Sequence, residues 1–190
     1  MLKNLKTSHI PIFLWGFVIL FIISAVFFPR WISVFYPQPH RDTVMQMSRE
    51  YQVDPNLVFA IIQAESKFED TARSHAGARG LMQIMPETAY WIAEQIALDD
   101  FDADMLDNPA VNIRLGCWYL ASLHAEFGGR LPLVVAAYNA GRGKVNKWIE
   151  EEKWDGTYEH IEQVPYQETR QYIKKVISNY ESYQAIYSAR

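Results

Sequence analysis

An all-helical domain behind one membrane-crossing segment is the fold class the sequence predicts, on three observations. Segment after segment opens on a Pro, Asp or Asn suited to a helix start and continues with apolar residues three and four apart. The period-two alternation of β-branched residues that marks a half-buried strand is missing, with room for a small ribbon only at residues 98–105 or 154–161. Near the N-terminus, residues 10–28 (IPIFLWGFVILFIISAVFF) carry no charge.

At about 1.5 Å per residue, that run just spans a hydrocarbon core of about 30 Å. Lys3 and Lys6 precede it and Arg30 follows. The positive-inside rule then leaves a short tail in the cytoplasm and sends the chain after Arg30 across, with Trp15, Trp31 and Tyr36 near the interfaces. Ile23-Ser24-Ala25 is a poor cleavage site and the run is long for a signal peptide, so an uncleaved anchor is expected. No cysteine lies directly behind it to take a lipid. Tyr36-Pro37-Gln38-Pro39-His40 has the composition of a short stiff stem. The expected organisation is residues 1–30 as tail and transmembrane anchor, 31–42 as stem and 43–190 as one helical domain. Residues 1–41 hold four basic residues and no acid, which leaves the rest of the chain with a formal charge of −8.

Past the stem the helices follow in order. Residues 43–51 make a short one; residues 54–67 the next, with Asp54 as N-cap and Pro55 at the first helical position. Pro86 opens a third over 86–97, and Asn108-Pro109 caps a long one that Gly128-Gly129 ends. Residues 131–139 are apolar and short, 144–152 amphipathic, and 166–187 long and aromatic.

The helix over 54–67 carries an anomaly. Glu65 shares the face of Ile61, Ile62 and Phe68, so it points inward. Desolvation disfavours a charged carboxylate, and such a group can keep its proton near neutral pH and donate it to a leaving group. The alternative is a structural buried glutamate paired with Lys67 or Arg79. A glycine-rich turn follows, with Ser74, Gly77 and Gly80 before Leu81-Met82-Gln83, and brings polar atoms toward the acid. Ala136-Ala137-Tyr138-Asn139-Ala140-Gly141 ends an apolar helix on a phenol, an amide and a glycine; the pattern suits either ordinary C-capping or contact with a ligand rich in hydroxyls. Glu168 and Tyr172 lie one turn apart on the last helix, where Glu168 also suits an acidic first turn.

The motifs ESKF, SHAGARGLMQIMPETA, AAYNAG and ETRQYI, in that order, resemble the soluble lytic transglycosylase domain of the lysozyme-like superfamily over about residues 45–183. The resemblance implies a lysozyme-like helical fold with Glu65 as the single catalytic acid/base. It also implies that Ser74, Met82, Gln83, Tyr138, Asn139, Glu168 and Tyr172 line a glycan groove, with Glu168 and Tyr172 closing it opposite Glu65. Arg142 departs from the pattern, which usually has proline after AYNAG.

Other chemistries lack their residues. The histidines at 9, 40, 75, 124 and 160 show no zinc-ligand spacing, and Asp99, Asp100, Asp102 and Asp104 lack the glycine and closing glutamate of a calcium loop, so they read as solvated. No metal or cofactor is expected. Cys117 sits in an apolar pattern as a small buried hydrophobe. A domain of charge −8 does not suit nucleic acid, and no G-x-S-x-G is present. The reading that results is a single-pass enzyme of the inner membrane with its domain in the periplasm. It cuts the MurNAc-β-1,4-GlcNAc bond of peptidoglycan strands to leave 1,6-anhydro ends, with cell-wall or secretion machinery as candidate partners. A hydrolytic muramidase on the same fold and a non-catalytic glycan-binding or assembly module stay open.

Overall fold

The computed structural model describes residues 14–23 and 34–187. The chain divides into two units, residues 1–37 and 38–190. In the first, residues 14–23 are helical with exposed side chains. The rest of the expected anchor, with Lys3, Lys6 and Arg30, lies outside the described residues, and no helix among those described is long and apolar enough to cross a membrane.

Among the described residues the second unit has seven α-helices: α1 (Arg41–Tyr51), α2 (Pro55–Glu65), α3 (Pro86–Gln95), α4 (Pro109–Glu126), α5 (Leu131–Ala140), α6 (Arg142–Glu150) and α7 (Gln167–Tyr187). Short 3₁₀ turns stand at Ala103–Asp107 and Ile161–Gln163. Helix α2 is the centre. Its residues from Leu57 to Ile62 are all buried, the mark of a helix surrounded by protein rather than one lying on a surface. Asp54 Oδ1 accepts from the Asn56 N–H at 2.8 Å and so satisfies one of the free amides at the helix start.

Helix α7 packs along α2 more extensively than any other pair of helices does. Tyr180 Oη donates to Asp54 Oδ2 (2.7 Å) at one end, and Lys175 Nζ donates to the Ala64 carbonyl (2.5 Å) at the other. The pairing order makes the two helices antiparallel. Phe59 stacks on Tyr183 between them, with ring centroids 5.6 Å apart.

Helix α2 stops at Glu65, two residues short of the expected end, because Lys67 and Phe68 adopt left-handed backbone (φ 52° and 67°). That conformation costs a non-glycine residue roughly 1–2 kcal/mol. The Ser66 and Lys67 amides both bond to the Ile62 carbonyl, at 3.0 and 3.1 Å, and close the end. The segment after it folds back on itself through two isolated bridges, Arg73 with Arg79 and Arg79 with Ile84. These are the extended pairings among the described residues; neither lies at 98–105 or 154–161.

Two buried polar residues fix this loop. Asn112, fully buried on α4, accepts from the Met82 N–H (2.8 Å) and donates to the carbonyls of Arg79 and Leu106 (2.9 Å each). Gly80 passes so close to the Asn112 amide and the Leu106 carbonyl that a Cβ would collide with both, and its φ of 75° favours glycine in any case. Arg79 forks onto Asp107 at 3.2 and 2.8 Å and reaches Asp104 at 2.9 Å. Asp104 is therefore not simply solvated, as expected from sequence, although its side chain is 88% exposed. Cys117 is fully buried, as its apolar setting predicts.

Candidate active site

Glu65 is the last residue of α2, where the helix meets α7 and the strained turn. Its Oε1 accepts from Tyr172 Oη at 2.7 Å. Burial pushes its carboxyl from the ordinary 4.5 up to about 7, against the opposing effects of the Tyr172 hydrogen bond and the Lys175 charge; the Glu168 charge adds a smaller push upward. Glu168, Tyr172 and Lys175 sit four and three residues apart and share one face of α7. Burial also holds the Tyr172 phenol well above its usual range, so it stays a neutral donor. A carboxyl poised near neutrality can give up a proton and take one back.

A pocket of about 220 Å³ opens beside it, lined by Gln83, Met85, Thr88, Tyr119, Tyr138 and Asn139 among others. Drug-sized sites run to about 300–1,000 Å³, so this one suits a single ring. Glu65 is not part of the lining; Tyr138 connects the two, because it lines the pocket and the Glu65 charge helps to hold its phenol protonated. Tyr138 Oη donates to the Met82 carbonyl at 2.8 Å. Asn139 Oδ1 accepts from the buried Thr169 hydroxyl at 2.8 Å, which leaves the amide NH₂ as the end free to donate. Gln83 does the reverse: its NH₂ donates to the carbonyls of Ala72 (3.0 Å) and Gly80 (2.8 Å), and Oε1 is left to accept. Gln83 also holds left-handed backbone, φ 46°. A fixed donor and a fixed acceptor thus flank one ring-sized space.

A family model described as the transglycosylase SLT domain matches residues 42–161. The chain belongs to that family. It is 32% identical over 150 residues to the soluble lytic murein transglycosylase of Salmonella typhimurium, with 78% of this chain and 23% of that protein covered. It is also 32% identical over 164 residues to membrane-bound lytic murein transglycosylase C of Actinobacillus pleuropneumoniae, covering 74% of this chain and 44% of that protein. The solved structure of an inactive glutamate-to-glutamine variant of the lytic transglycosylase Slt from Pseudomonas aeruginosa superposes with a TM-score of 0.75 at 36% identity, over 83% of this chain and 26% of that one. The chain thus spans less than half the length of these curated relatives.

Within this SLT domain the residues expected at the groove fall into different positions. Gln83, Tyr138 and Asn139 line the pocket together. Tyr172 is hydrogen-bonded to Glu65 itself. Glu168 is exposed one turn before Tyr172. The Met82 side chain is fully buried against Gly116, where a Cβ would collide with it, and its backbone carbonyl accepts from Tyr138. Ser74 is exposed, and its Oγ accepts from the Ala78 N–H (2.9 Å), so it ties the loop together. The pairing of Glu65 with Lys67 or Arg79 does not occur, since Arg79 is committed to Asp104 and Asp107.

Sequence reasoning missed Lys175, Thr169, Asn112 and Tyr119. Lys175 was open to discovery, being on the face of Glu168 and Tyr172. Asn112 offered only the weak signal of a lone amide in the apolar run of α4.

Proposed function

We propose that the chain cleaves the β-1,4 bond between N-acetylmuramic acid and N-acetylglucosamine in peptidoglycan, without water, as a lytic transglycosylase. The observation that carries this reading is the Glu65 carboxyl, pushed by burial to about 7 and hydrogen-bonded to Tyr172 beside a ring-sized pocket. Protonated Glu65 gives its proton to the glycosidic oxygen as the C1–O bond breaks, and the substrate's acetamido oxygen stabilises the cationic C1. Glu65, now a carboxylate, takes the proton of the C6 hydroxyl as that oxygen bonds to C1. The products are a 1,6-anhydro sugar and a free 4-hydroxyl, and the acid is restored. Tyr172 and Lys175 lower the cost of the carboxylate formed midway. Gln83 and Asn139 hold the sugar through the amide ends left free, and Tyr138 walls the pocket.

Lytic murein transglycosylase is the name of the relatives, and the glutamate-to-glutamine variant of Slt is described as inactive, which supports assigning the proton chemistry to Glu65. One observation favours a second reading. Glu168 is a second carboxylate close enough for its charge to act on Glu65, and a pair of carboxylates is what hydrolytic glycosidases use. Its effect is the smallest of the four on Glu65, and transglycosylation is preferred.

The anchored arrangement belongs to the same proposal: residues 1–30 as tail and transmembrane helix, 31–42 as stem, and 43–190 as a domain facing the periplasmic wall. The uncharged run at 10–28, the helical residues 14–23 and the membrane-bound relative support it. Turbidity of purified peptidoglycan tests the catalytic assignment: Glu65→Gln should lose clearing activity by at least about 10²-fold. Clearing by the folded variant at a near-normal rate would place the acid elsewhere.

A further inference from the structure

The two amides that flank the pocket are held in unequal ways. Gln83 is pinned twice at one end, since its NH₂ donates to the carbonyls of both Ala72 and Gly80. Asn139 has one side-chain bond among the described residues, from the Thr169 hydroxyl to Oδ1 at 2.8 Å. The oxygen and nitrogen ends of an amide are nearly the same size, and the last torsion of an asparagine is soft and roughly two-fold. Packing therefore does not distinguish them. Whether the pocket meets a donor or an acceptor at Asn139 rests on the Thr169 hydroxyl.

Thr169 is placed to hold that choice firmly. It is 1% exposed, so water does not compete for its hydroxyl. It lies in the first turn of α7, which packs against α5 as well as α2. That turn is itself anchored: the Arg170 N–H donates to the Tyr166 carbonyl (3.0 Å), and Arg170 Nη1 donates to the Val164 carbonyl (2.5 Å). Thr169 and Tyr172 are three residues apart and share a face of the helix. One bonds Asn139 and the other bonds Glu65. A single turn of α7 thus holds both the amide that meets the sugar and the acid that protonates the bond.

We propose that Thr169 is a positioning residue of the reaction. It does not meet the substrate; it fixes the sense of the Asn139 amide, with the NH₂ toward the pocket, and keeps that amide in register with Glu65. The proposal rests on the reading of the pocket as the sugar site of the reaction given above. Without the hydroxyl, the Asn139 amide turns between its two orientations and for part of the time presents its oxygen to a substrate oxygen. The two repel, and the ring is then held out of line with the acid.

The test is a double-mutant cycle on the clearing of purified peptidoglycan by the full chain in detergent micelles, with Thr169→Val, Asn139→Ala and the pair. Valine keeps the branched shape of threonine and lacks the hydroxyl; Thr169→Ala serves in place of a valine variant that does not fold. Thr169→Val should slow clearing about tenfold in the wild type and less than about twofold where Asn139 is already alanine. Thr169→Ser, which keeps the hydroxyl, should regain most of the loss. An equal loss in both backgrounds, or a serine variant as slow as the valine one, makes Thr169 a packing residue and overturns the proposal. Relaxation of the Asn139 side-chain NH₂, labelled through ¹⁵N-asparagine and identified by its loss in Asn139→Ala, gives a readout that needs no substrate. Its order parameter should be about 0.85 with threonine or serine and below about 0.6 with valine. An amide equally ordered in Thr169→Val overturns the assignment. If the wild type fails to lyse peptidoglycan while the amide loosens in Thr169→Val, the catalytic reading is lost and the hold of Thr169 on Asn139 stands.

Discussion

Replacing Glu65 by Gln should make the protein more stable, and by an amount that depends on pH. The folded chain holds the Glu65 proton up to about 7, whereas the unfolded chain releases it near 4.5. Between those values the folded state binds more protons than the unfolded one, so the contribution of Glu65 to stability falls as pH rises through that window. Below about pH 4.5 both states are protonated and the carboxyl carries no penalty. Above about pH 7 the penalty is complete, and the displacement of the midpoint amounts to about 3 kcal/mol at about 1.4 kcal/mol per pH unit. Glutamine keeps the shape, still accepts from Tyr172, and has no charge at any pH. The melting temperature of Glu65→Gln, measured on the full chain in detergent, should equal that of the wild type at pH 4 and exceed it by about 6–12 °C at pH 8. Other titrating groups cancel in the difference. A difference that stays flat from pH 4 to pH 8 would refute a desolvated Glu65.

Tyr172→Phe removes the hydrogen bond that favours the carboxylate, so the Glu65 midpoint should rise further and the alkaline limb of the pH–rate profile should move to higher pH; an unmoved limb would mean that the bond is not made. Asn112→Ala strands the Met82 N–H and the carbonyls of Arg79 and Leu106, each about 1–3 kcal/mol when left unpaired in the interior. The loss in unfolding free energy should be about 3 kcal/mol or more, and a loss under about 1 kcal/mol would contradict the role given to Asn112. Protease added to spheroplasts should digest the domain of the anchored chain, whereas full protection would place it in the cytoplasm.

The helices were legible because their signals are local. Asp54-Pro55, Asn108-Pro109 and Gly128-Gly129 announce their own caps, and the predicted elements stand within a few residues of the observed ones. What ends α2 at Glu65 was not legible, because left-handed backbone at Lys67 and Phe68 is a tertiary imposition that neither side chain prefers. Glu65 stood out as a charge on an apolar face, and Tyr138 and Asn139 as polar groups ending an apolar helix. Their partners did not. Asn112 and Thr169 act through hydrogen bonds across 30 residues of sequence, and Lys175 reaches the Ala64 carbonyl 111 residues away. Met82 is a related case: the motif points to the residue, and the fold buries its side chain while its carbonyl accepts from Tyr138.

The central claim is that Glu65 acts on a bond whose departing C1 is captured by the sugar's own C6 hydroxyl. A well-placed intramolecular nucleophile has an effective molarity of about 10⁵–10⁸ M, far above what liquid water offers. Digestion of purified peptidoglycan by the full chain in ¹⁸O-labelled water, followed by mass spectrometry of the fragments, measures the competition directly. The account predicts 1,6-anhydro ends without label, and reducing ends carrying ¹⁸O as the main product would contradict it.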